Sequence, residues 1–571
     1  MHFIDFEVFK HDWLCVIQSS EVGETVIVND EKALTNYYEA HKNELFIGYN
    51  IREYDQFIFK AILAGFNPKD VNDFIIVQGQ SGYRYSSLFN KIPLYFFDVK
   101  TQMVGLKTLE GFMGEDIRET TVPFNIDRKL TAGELDEVIF YCRHDVKETI
   151  KVFEKQSEEF TSQFELVKMF NFPITYMGKT KAQLSAAALG AERKNYNDEF
   201  DFVIPNNLKI KKYKFVVDWF GDRIGKKSDD FYKQSLNVDV AGVPHVLAWG
   251  GIHGAIPNYR GKGYFINVDV ASYYPSMMIE YGYTSRSIKD ANKYKEIYHT
   301  RLAHKAKKDP RQKPLKIVLN STYGAMKDKF NPLYDPLQAN NVCVTGQLLL
   351  LDLLEHLEPY FDIIQSNTDG ILVKLRANND EEANKQYALL DDLCHEWEQR
   401  SKMNLEFDEF REVIQKDVNN YIIVAADGSY KSKGAYVKKL NSLDNDLPII
   451  NKALVDYFVR GVPVEQTVNN CNNLIEFQKI VKVSSLYKYA LHNNQILNEK
   501  TFRVFASNRS NDGTIYKVKE NKNPEKFANT PESCFIDNRK VSDVSVPAYL
   551  DKQWYIDLAN KRVQEFLGND R

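Results

Sequence analysis

The sequence has no CxxC pair, no long apolar run and no strong excess of either charge. Its six cysteines are scattered, which argues against a zinc ribbon or a disulfide framework and favours a reduced, intracellular protein. Without a run of about 18 apolar residues, no membrane span is expected. The formal net charge of −4 shows that the chain is not basic throughout, so any surface for polyanions must be local.

One such local surface is present. The segment Lys289–Lys316 contains ten Lys or Arg and three Asp or Glu, a net charge of +7. Its pattern predicts two helices joined near Asp309-Pro310. The chain is also rich in aromatics, with 33 Tyr and 36 Phe, enough for large cores and for stacking surfaces. A length of 571 residues suggests three or four domains.

Three regions follow one another along the chain. Residues 1–155 read as alternating strands and helices, and the last helix is expected to begin after Thr131 and to run to about Phe160. Thr131 and Glu134 have the spacing of a capping box, which satisfies backbone donors at a helix start. A second α/β region covers about 235–425, and the tail from about 430 is mixed and polar.

Four acidic residues in the first region suggest a metal site. Asp5 and Glu7 lie two apart on a predicted strand, so their carboxylates share one face. Tyr141 and Asp145 share a helix face at i and i+4, and Asp55 lies between these pairs in sequence. Each element alone is ordinarily a solvated surface. Together, the four carboxylates could hold two Mg²⁺ ions about 4 Å apart, the spacing that clamps both oxygens of a reacting phosphodiester.

These residues resemble the three exonuclease motifs of proofreading family B DNA polymerases: DxE, N-x₃-[FY]-D and Y-x₃-D, in that order. The resemblance implies that Asp5, Glu7, Asp55 and Asp145 bind metal and that Tyr141 positions the attacking water. It also implies that Asn50 holds a single-stranded primer end. Thr108 and Leu109 correspond to a single-strand contact in a shifted register, because Gly105 stands where that family usually has Ser.

Two further motifs carry the same resemblance. The stretch Asp269–Ser276 resembles motif A, D-x-x-S-[LY]-Y-P-S, and Lys316–Gly324 resembles motif B, K-x₃-N-S-x-Y-G. The match to motif A implies that Asp269 binds both catalytic metals, that Ser272 and Tyr273 lie at the triphosphate, and that Tyr274 is the steric gate against ribose. The match to motif B implies nucleotide contacts from one helix face. These contacts are Lys316, Asn320 and Tyr323. Arg301 is expected as a second phosphate ligand, a role for which Lys305, Lys307 and Lys308 are alternatives.

Motif C is less regular. Asn367-Thr-Asp-Gly370 lies between two apolar strands, where Asp-Gly first of all predicts a hairpin turn. The family pattern is D-T-D-S, so Asp369 matches the second acid, while Asn367 and Gly370 replace the first acid and the serine. The resemblance therefore leaves two carboxylates, Asp269 and Asp369, for the polymerase site.

Smaller resemblances complete the DNA-binding set. Gly250 and Gly251 lie where related phage enzymes carry a YxGG-type linker that contacts the template. Tyr421 matches the aromatic residue of a K-x-Y motif whose Lys is absent, and Lys431 and Lys433 are expected to hold the backbone of the primer–template duplex.

The resemblance implies an α/β and α+β multidomain fold, with an RNase H-like exonuclease domain followed by a right-hand palm, fingers and thumb. The palm should be an antiparallel sheet that carries Asp269 and Asp369. The expected boundaries are exonuclease 1–165, linker and first palm part 166–285, fingers 286–325, second palm part 326–428 and thumb 429–571.

The spacing between motifs narrows the type of enzyme. Only 47 residues separate Asp269 from Lys316, and 45 separate Gly324 from Asp369, which leaves no room for the two insertions of protein-primed phage enzymes. We therefore expect a monomeric, cytoplasmic bacteriophage-type enzyme, located in the host cytoplasm, that extends primer–template DNA with dNTPs and needs no terminal protein. It would use two Mg²⁺ ions per site, with Mn²⁺ as a substitute, and would work with a clamp, helicase or single-strand-binding protein.

Two alternatives stay open. The first is a 3′–5′ exonuclease whose polymerase module has degenerated into a DNA-binding unit, which Asn367 motivates. The second is a non-enzymatic replisome scaffold.

Overall fold

The computed structural model describes residues 1–569, and its elements are numbered in chain order. The N-terminal region forms β1 (His2–Val8), β2 (Trp13–Ser19), β3 (Gly23–Val28), α1 (Glu31–His41), β4 (Phe46–Gly48), α2 (Asp55–Leu63), α3 (Pro68–Asn72), β5 (Phe96–Asp98), α4 (Leu106–Met113), α5 (Ala132–Lys155) and α6 (Ser157–Met169). The central region forms α7 (Lys181–Ala188), α8 (Lys214–Gly221), β6 (Leu236–Val240), β7 (Val243–Leu247), β8 (Ile252–Ala255), β9 (Tyr259–Val270), α9 (Tyr273–Glu280), α10 (Asn292–Ala306), α11 (Gln312–Lys327), α12 (Pro336–Leu357), β10 (Asp362–Asn367), β11 (Gly370–Lys374), α13 (Asp380–Ser401), β12 (Leu405–Asp417), β13 (Asn420–Val424) and β14 (Tyr430–Lys433). The C-terminal region forms α14 (Pro448–Val455), α15 (Val464–Asn470), β15 (Lys479–Lys482), β16 (Tyr489–His492), β17 (Gln495–Leu497), β18 (Thr501–Ala506), β19 (Ile515–Val518), β20 (Glu525–Lys526), β21 (Cys534–Ile536) and α16 (Lys552–Leu567).

The chain divides into two compact units. The first unit contains Met1–Lys179, Leu440–Ile450 and Glu465–Asp557, and the second contains the intervening segments and the C-terminal residues. Residues 429–571, expected above to form one thumb domain, are thus shared between the units. The prediction of a mixed α/β multidomain fold is confirmed. Within residues 1–569, no helix combines the length and the apolar character that crossing a bilayer requires.

A five-stranded sheet in the order β3-β2-β1-β4-β5 forms the centre of the first unit's N-terminal part. β1 to β3 pair antiparallel, whereas β4 runs parallel to both β1 and β5. Helix α5 covers β1 and β2 and begins with the predicted capping box, in which Thr131 and Glu134 each bond the other's backbone. The helix ends at Lys155 rather than near Phe160, because Gln156 leaves the helical conformation and α6 then begins.

The C-terminal part of the first unit consists of two small antiparallel sheets, β15-β18-β21 and β17-β16-β19-β20. Strands β15 and β18 pack against helix α4 of the N-terminal part. The region beside α4 is therefore built from two segments that are far apart in sequence.

The second unit is organised around a nine-stranded sheet in the order β14-β13-β12-β9-β11-β10-β8-β7-β6. All of its pairings are antiparallel. The long strand β9 lies between β11 and β12, so residues at its C-terminal end are flanked on both sides. The basic segment forms two helices, α10 and α11, as its pattern predicted, and α11 packs on α7, α9 and α12.

Candidate carboxylate centres

The four acidic residues of the N-terminal motifs meet at one place in the first unit. Asp5 and Glu7 project from the same face of β1, and a ligand atom of each lies within 4.8 Å of the other and of the Cys142 sulfur on α5. Asp55, the first residue of α2, accepts the backbone N–H of Phe6 at 3.3 Å. The β1–α2 contact and the α5–β1 packing thus gather carboxylates from three separate elements.

The electrostatics of this centre are those of crowded, buried acids. Burial, reinforced by neighbouring carboxylates, raises the pKa of Asp5 and Glu7 well above the ordinary range. Burial also raises the pKa of Asp55 to about 7 and that of Asp145 to about 6. Such shifts mean that bringing the four charges together is costly until a cation compensates them.

The structure adds a residue whose role sequence reasoning missed. The ammonium of Lys107, on α4, pairs with Asp145 and lies 3.0 Å from Oε1 of the fully buried Glu110. Burial opposes its charge, but the two carboxylates outweigh burial and raise its pKa. Its Nζ also lies 4.5 Å from the centroid of the Tyr141 ring. The Lys–Glu spacing of i and i+3 on α4 was the signal available in the sequence.

The residues expected to hold a single strand occupy different environments. Asn50 has a left-handed backbone (φ 69°) and its side-chain oxygen accepts Lys100 Nζ at 3.0 Å, beside the acidic centre. Thr108 is half-buried on α4, and the Leu109 side chain is buried at 4% exposure. A direct contact of Leu109 with a strand would therefore require α4 to expose it.

The second unit holds the other centre. Asp269, near the end of β9, is directly opposite Gly370 on β11 and Glu406 on β12. Its Oδ2 accepts the side-chain amide of Asn267 at 2.6 Å. A Cβ atom at position 370 would lie 2.0 Å from Asp269 Oδ1. Glycine at this position, a departure from the family pattern, therefore leaves the space that the Asp269 carboxylate occupies.

Asp369 lies in the predicted hairpin turn, which joins β10 to β11. Thr368 takes a left-handed conformation (φ 49°), and its hydroxyl lies 2.9 Å from Nε2 of His253 on β8. The Asp369 carbonyl accepts the backbone N–H of Val270 at 2.7 Å. These contacts fix the turn against β8 and β9 and direct it to the same cavity as Asp269.

That cavity, about 230 Å³, is lined by Asn267, Asp269, Gln365, Asn367, Asp369, Gly370, Leu372, Tyr421, Ile423, Lys431 and Ser432. Burial, followed by repulsion from Asp369, raises the pKa of Asp269 to about 6. Asp369 remains open to solvent, yet partial desolvation raises its pKa too, while Lys433 and His253 counteract the shift. Two acids and an amide oxygen thus border one space, and the charges of Lys431 and Lys433 offset those of the two acids only in part.

The expected phosphate ligands meet at the start of α9. Ser272 has a left-handed backbone (φ 50°) at the N-terminal cap, and its Oγ accepts Arg301 Nη1 at 3.4 Å. Arg301 is only 8% exposed and its Nε has no hydrogen-bond partner among residues 1–569. This burial distinguishes Arg301 from its basic neighbours Lys305, Lys307 and Lys308, which are exposed.

The aromatic residues of motifs A and B separate into two environments. Tyr273 is buried at 4% exposure and donates its hydroxyl to the Gly346 carbonyl at 2.6 Å, so any nucleotide contact is left to its backbone. Tyr274 is half-buried, and its ring lies 4.5 Å from that of Tyr323, centroid to centroid. On the same helix as Tyr323, Lys316 and Asn320 are exposed.

The remaining expected DNA contacts border these features. Tyr421 and Lys431 line the Asp269 cavity, and Lys431 Nζ lies 2.7 Å from Asp408 Oδ2. The positive charge of Lys433 opposes the rise that burial causes in the pKa of Asp369, and it adds to the effect of burial in lowering the pKa of His253.

The glycines of the expected template linker differ in exposure. Gly250 is exposed and lines a separate cavity of about 480 Å³ with Trp249 and Lys327, whereas Gly251 is buried.

Both centres have the donor atoms that hard divalent cations prefer. Carboxylate oxygens dominate each set, with the Asn367 amide oxygen available in the second unit. Cys142 lies within the first cluster, but burial raises the pKa of its thiol well above the ordinary range. The sulfur therefore stays protonated and is a poor ligand, which leaves the first centre as an oxygen site.

Comparisons with known proteins give likenesses among solved structures. No protein-family model matches the sequence, and no curated protein matches it. Among solved structures, the chain is similar to the family B DNA polymerase from the hyperthermophilic archaeon Pyrobaculum calidifontis. The identity is 13%, the TM-score is 0.44, and the match covers 99% of this chain and 77% of that one.

Proposed function

We propose that the protein is a template-directed DNA polymerase of the family B type with a 3′–5′ proofreading exonuclease. The observation that carries the proposal is the meeting of Asp269 and Asp369 in one cavity of an antiparallel sheet. They come from the two motifs that the sequence identified as a polymerase pair. In the first unit, Asp5, Glu7, Asp55 and Asp145 lie close enough for their charges to raise the pKa values of Asp5 and Glu7 beyond the effect of burial, and this grouping supports the exonuclease.

In extension, Asp269 and Asp369 would hold two Mg²⁺ ions. When bound, the ions activate the primer 3′-hydroxyl and offset the charge of the departing pyrophosphate. Arg301, buried with its Nε unpaired, offers a fixed positive charge to the triphosphate beside Ser272. Tyr274, whose ring packs against Tyr323, would act as the steric gate by filling the space that a ribose 2′-hydroxyl needs. Asn267 steadies the Asp269 carboxylate through its 2.6 Å hydrogen bond.

In proofreading, the four acids of the first unit would hold the metals and Tyr141 would orient the attacking water. Lys107 supplies one positive charge to this centre, so four ionised carboxylates would leave a net negative charge for divalent ions. We infer an RNase H-like fold for this part and a palm, fingers and thumb for the rest. The short intervals between motifs support a nucleic-acid primer and a phage-type enzyme without a terminal protein.

A nuclease with a degenerate polymerase module is the second candidate. Asn367 favours it, because this residue lines the Asp269 cavity with an amide where the family has an acid. An amide keeps an oxygen donor but lacks the charge, so metal affinity would fall.

One experiment separates the candidates. Wild type, Asp369→Ala and Asp5→Ala are compared in primer extension and in digestion of a single-stranded oligonucleotide, both with Mg²⁺. Asp369→Ala should keep digestion and lose extension, and Asp5→Ala should do the reverse. Wild type that digests but never extends would establish the nuclease, and wild type that does neither would favour the scaffold.

A further inference from the structure

Asp145, one of the four acids of the first unit, lines a cavity whose second wall comes from the C-terminal part of the same unit. The cavity is about 360 Å³. Its N-terminal wall includes Lys107, Tyr141 and Asp145. Its second wall is formed by Lys482, the last residue of β15, by Thr501, the first residue of β18, and by Lys500, which directly precedes β18.

The second wall is firmly attached. Arg503, on β18, is fully buried and donates to the carbonyls of Gly111 at 3.2 Å and Glu115 at 2.7 Å. The Glu119 carboxylate accepts the backbone N–H groups of Lys500 and Thr501, each at 2.9 Å. Because these bonds join the backbone of β18 to the α4 region, and β15 pairs with β18, the backbone that carries the lysines of this wall is held beside α4.

The charged groups of the cavity differ in whether they already have a partner of opposite charge. The ammonium of Lys107 is held by Asp145 and Glu110, and the Glu119 carboxylate by two backbone donors. Lys500 Nζ donates to the Lys488 carbonyl at 2.5 Å, and among residues 1–569 it forms no ion pair.

Lys482 is free of any acidic partner. It has no ion-pair partner among the described part of the chain, residues 1–569. Its Nζ lies only 2.9 Å from where a Cβ of Gly105 would be, so the absence of a side chain at 105 gives the ammonium its place at the cavity.

We propose that Lys482, assisted by Lys500, binds the phosphodiester backbone of the single strand whose 3′ end reaches the Asp5–Asp145 centre. This rests on the proposed exonuclease function and extends it, since the binding site then includes a segment more than 300 residues downstream of the acids. Ammonium groups that line a cavity together with Asp145 fit a polyanion whose last phosphate would be cleaved at the proposed metal centre. The Glu119 carboxylate lines the same cavity, so the strand must pass on the lysine side.

The test uses a 3′-labelled single-stranded oligonucleotide with the full-length protein in Mg²⁺. For Lys482→Ala, KM should rise roughly three- to tenfold with little change in kcat, because a ground-state phosphate contact is lost. The slope of log KM against log salt should fall by about 0.7, the value for one single-strand phosphate. Lys482→Arg should restore both.

Lys522→Ala is the matched control, because Lys522 is an exposed lysine of the same unit that does not line the cavity. If Lys482→Ala and Lys522→Ala have the same KM and salt slope, the proposal is overturned. If wild type does not digest the oligonucleotide, the exonuclease function fails instead. In that case, the affinity of each variant for the labelled strand is measured by fluorescence anisotropy in EDTA. Equal affinities and salt slopes for Lys482→Ala and Lys522→Ala would then overturn the proposed binding site.

Discussion

Replacement of Gly370 by serine tests the geometry of the polymerase centre most directly. Serine is the residue expected from the motif, yet a Cβ at 370 would lie 2.0 Å from Asp269 Oδ1. Ordinary van der Waals contact begins at 3.4 Å, so the two atoms must separate by 1.4 Å. Position 370 is paired between strands, whereas the Asp269 side chain is short and can turn, so we expect the carboxylate to move.

The magnitude follows from that displacement. Misplacing a catalytic group by about 1 Å costs on the order of 100-fold in rate. The strain of overpacking adds about 1–3 kcal/mol, which a large unit tolerates without unfolding. We therefore expect Gly370→Ser to slow single-nucleotide extension about 100-fold while digestion of single strands by the same preparation stays unchanged.

Two controls isolate the cause. Gly370→Ala should match Gly370→Ser, because the clash arises from Cβ and not from the hydroxyl. Gly221→Ala should have no effect on extension, since its Cβ would meet Ile204 at an ordinary 3.7 Å. If the extension rate of Gly370→Ser is within threefold of the wild-type rate, catalysis does not need the Asp269 carboxylate at its observed position, and the prediction is wrong.

Three further outcomes are expected. Asp55→Asn should abolish digestion yet raise the thermal midpoint in EDTA at pH 8. The pKa of Asp55 is about 7 in the folded protein against an ordinary value of 3.8, so ionisation of Asp55 lowers the free energy of unfolding as pH rises through that interval, by on the order of 4 kcal/mol in total. The stability gained by the variant should therefore vanish below about pH 4. Tyr274→Ala, which removes the ring packed on Tyr323, should increase ribonucleotide use relative to deoxynucleotide use by roughly 10- to 200-fold, and equal discrimination before and after the change would contradict the steric role. Arg503→Met should leave buried carbonyls without donors, which costs about 1–3 kcal/mol of stability for each carbonyl, so the thermal midpoint and the rate of digestion should fall together. An unchanged melting curve would show that Arg503 does not hold β18 in place.

The parts of the fold that depend on local patterns could be predicted. The capping box at Thr131 fixed where α5 begins, because its hydrogen bonds are formed within four residues. The helix pair of the basic segment and the hairpin at Asp369 are likewise local. Even here the end of α5 was misplaced, since no strong stop signal stands at Gln156.

The environment of each motif residue could not be predicted. Motif A implies that Tyr273 lies at the triphosphate, but it does not reveal that the Tyr273 hydroxyl donates to the carbonyl of Gly346, 73 residues away. Lys107 pairs with Asp145, 38 residues away, because α4 packs beside α5 in the folded chain. Burial and partner choice depend on such long-range contacts, which no sequence period encodes.

The sequence by itself determined which residues carry the chemistry: acids at DxE, at the end of α5, in motif A and in the motif C turn, with their order along the chain. Tertiary structure decided how they are grouped. It paired Gly370 with Asp269, so that a missing side chain makes room for a carboxylate. It also attached residues 465–557 to the N-terminal part, where Arg503 reaches the Glu115 carbonyl 388 positions away and Lys482 lines the acidic cavity. Residue types set what a site can bind, but only the folded chain brings distant segments within hydrogen-bonding distance.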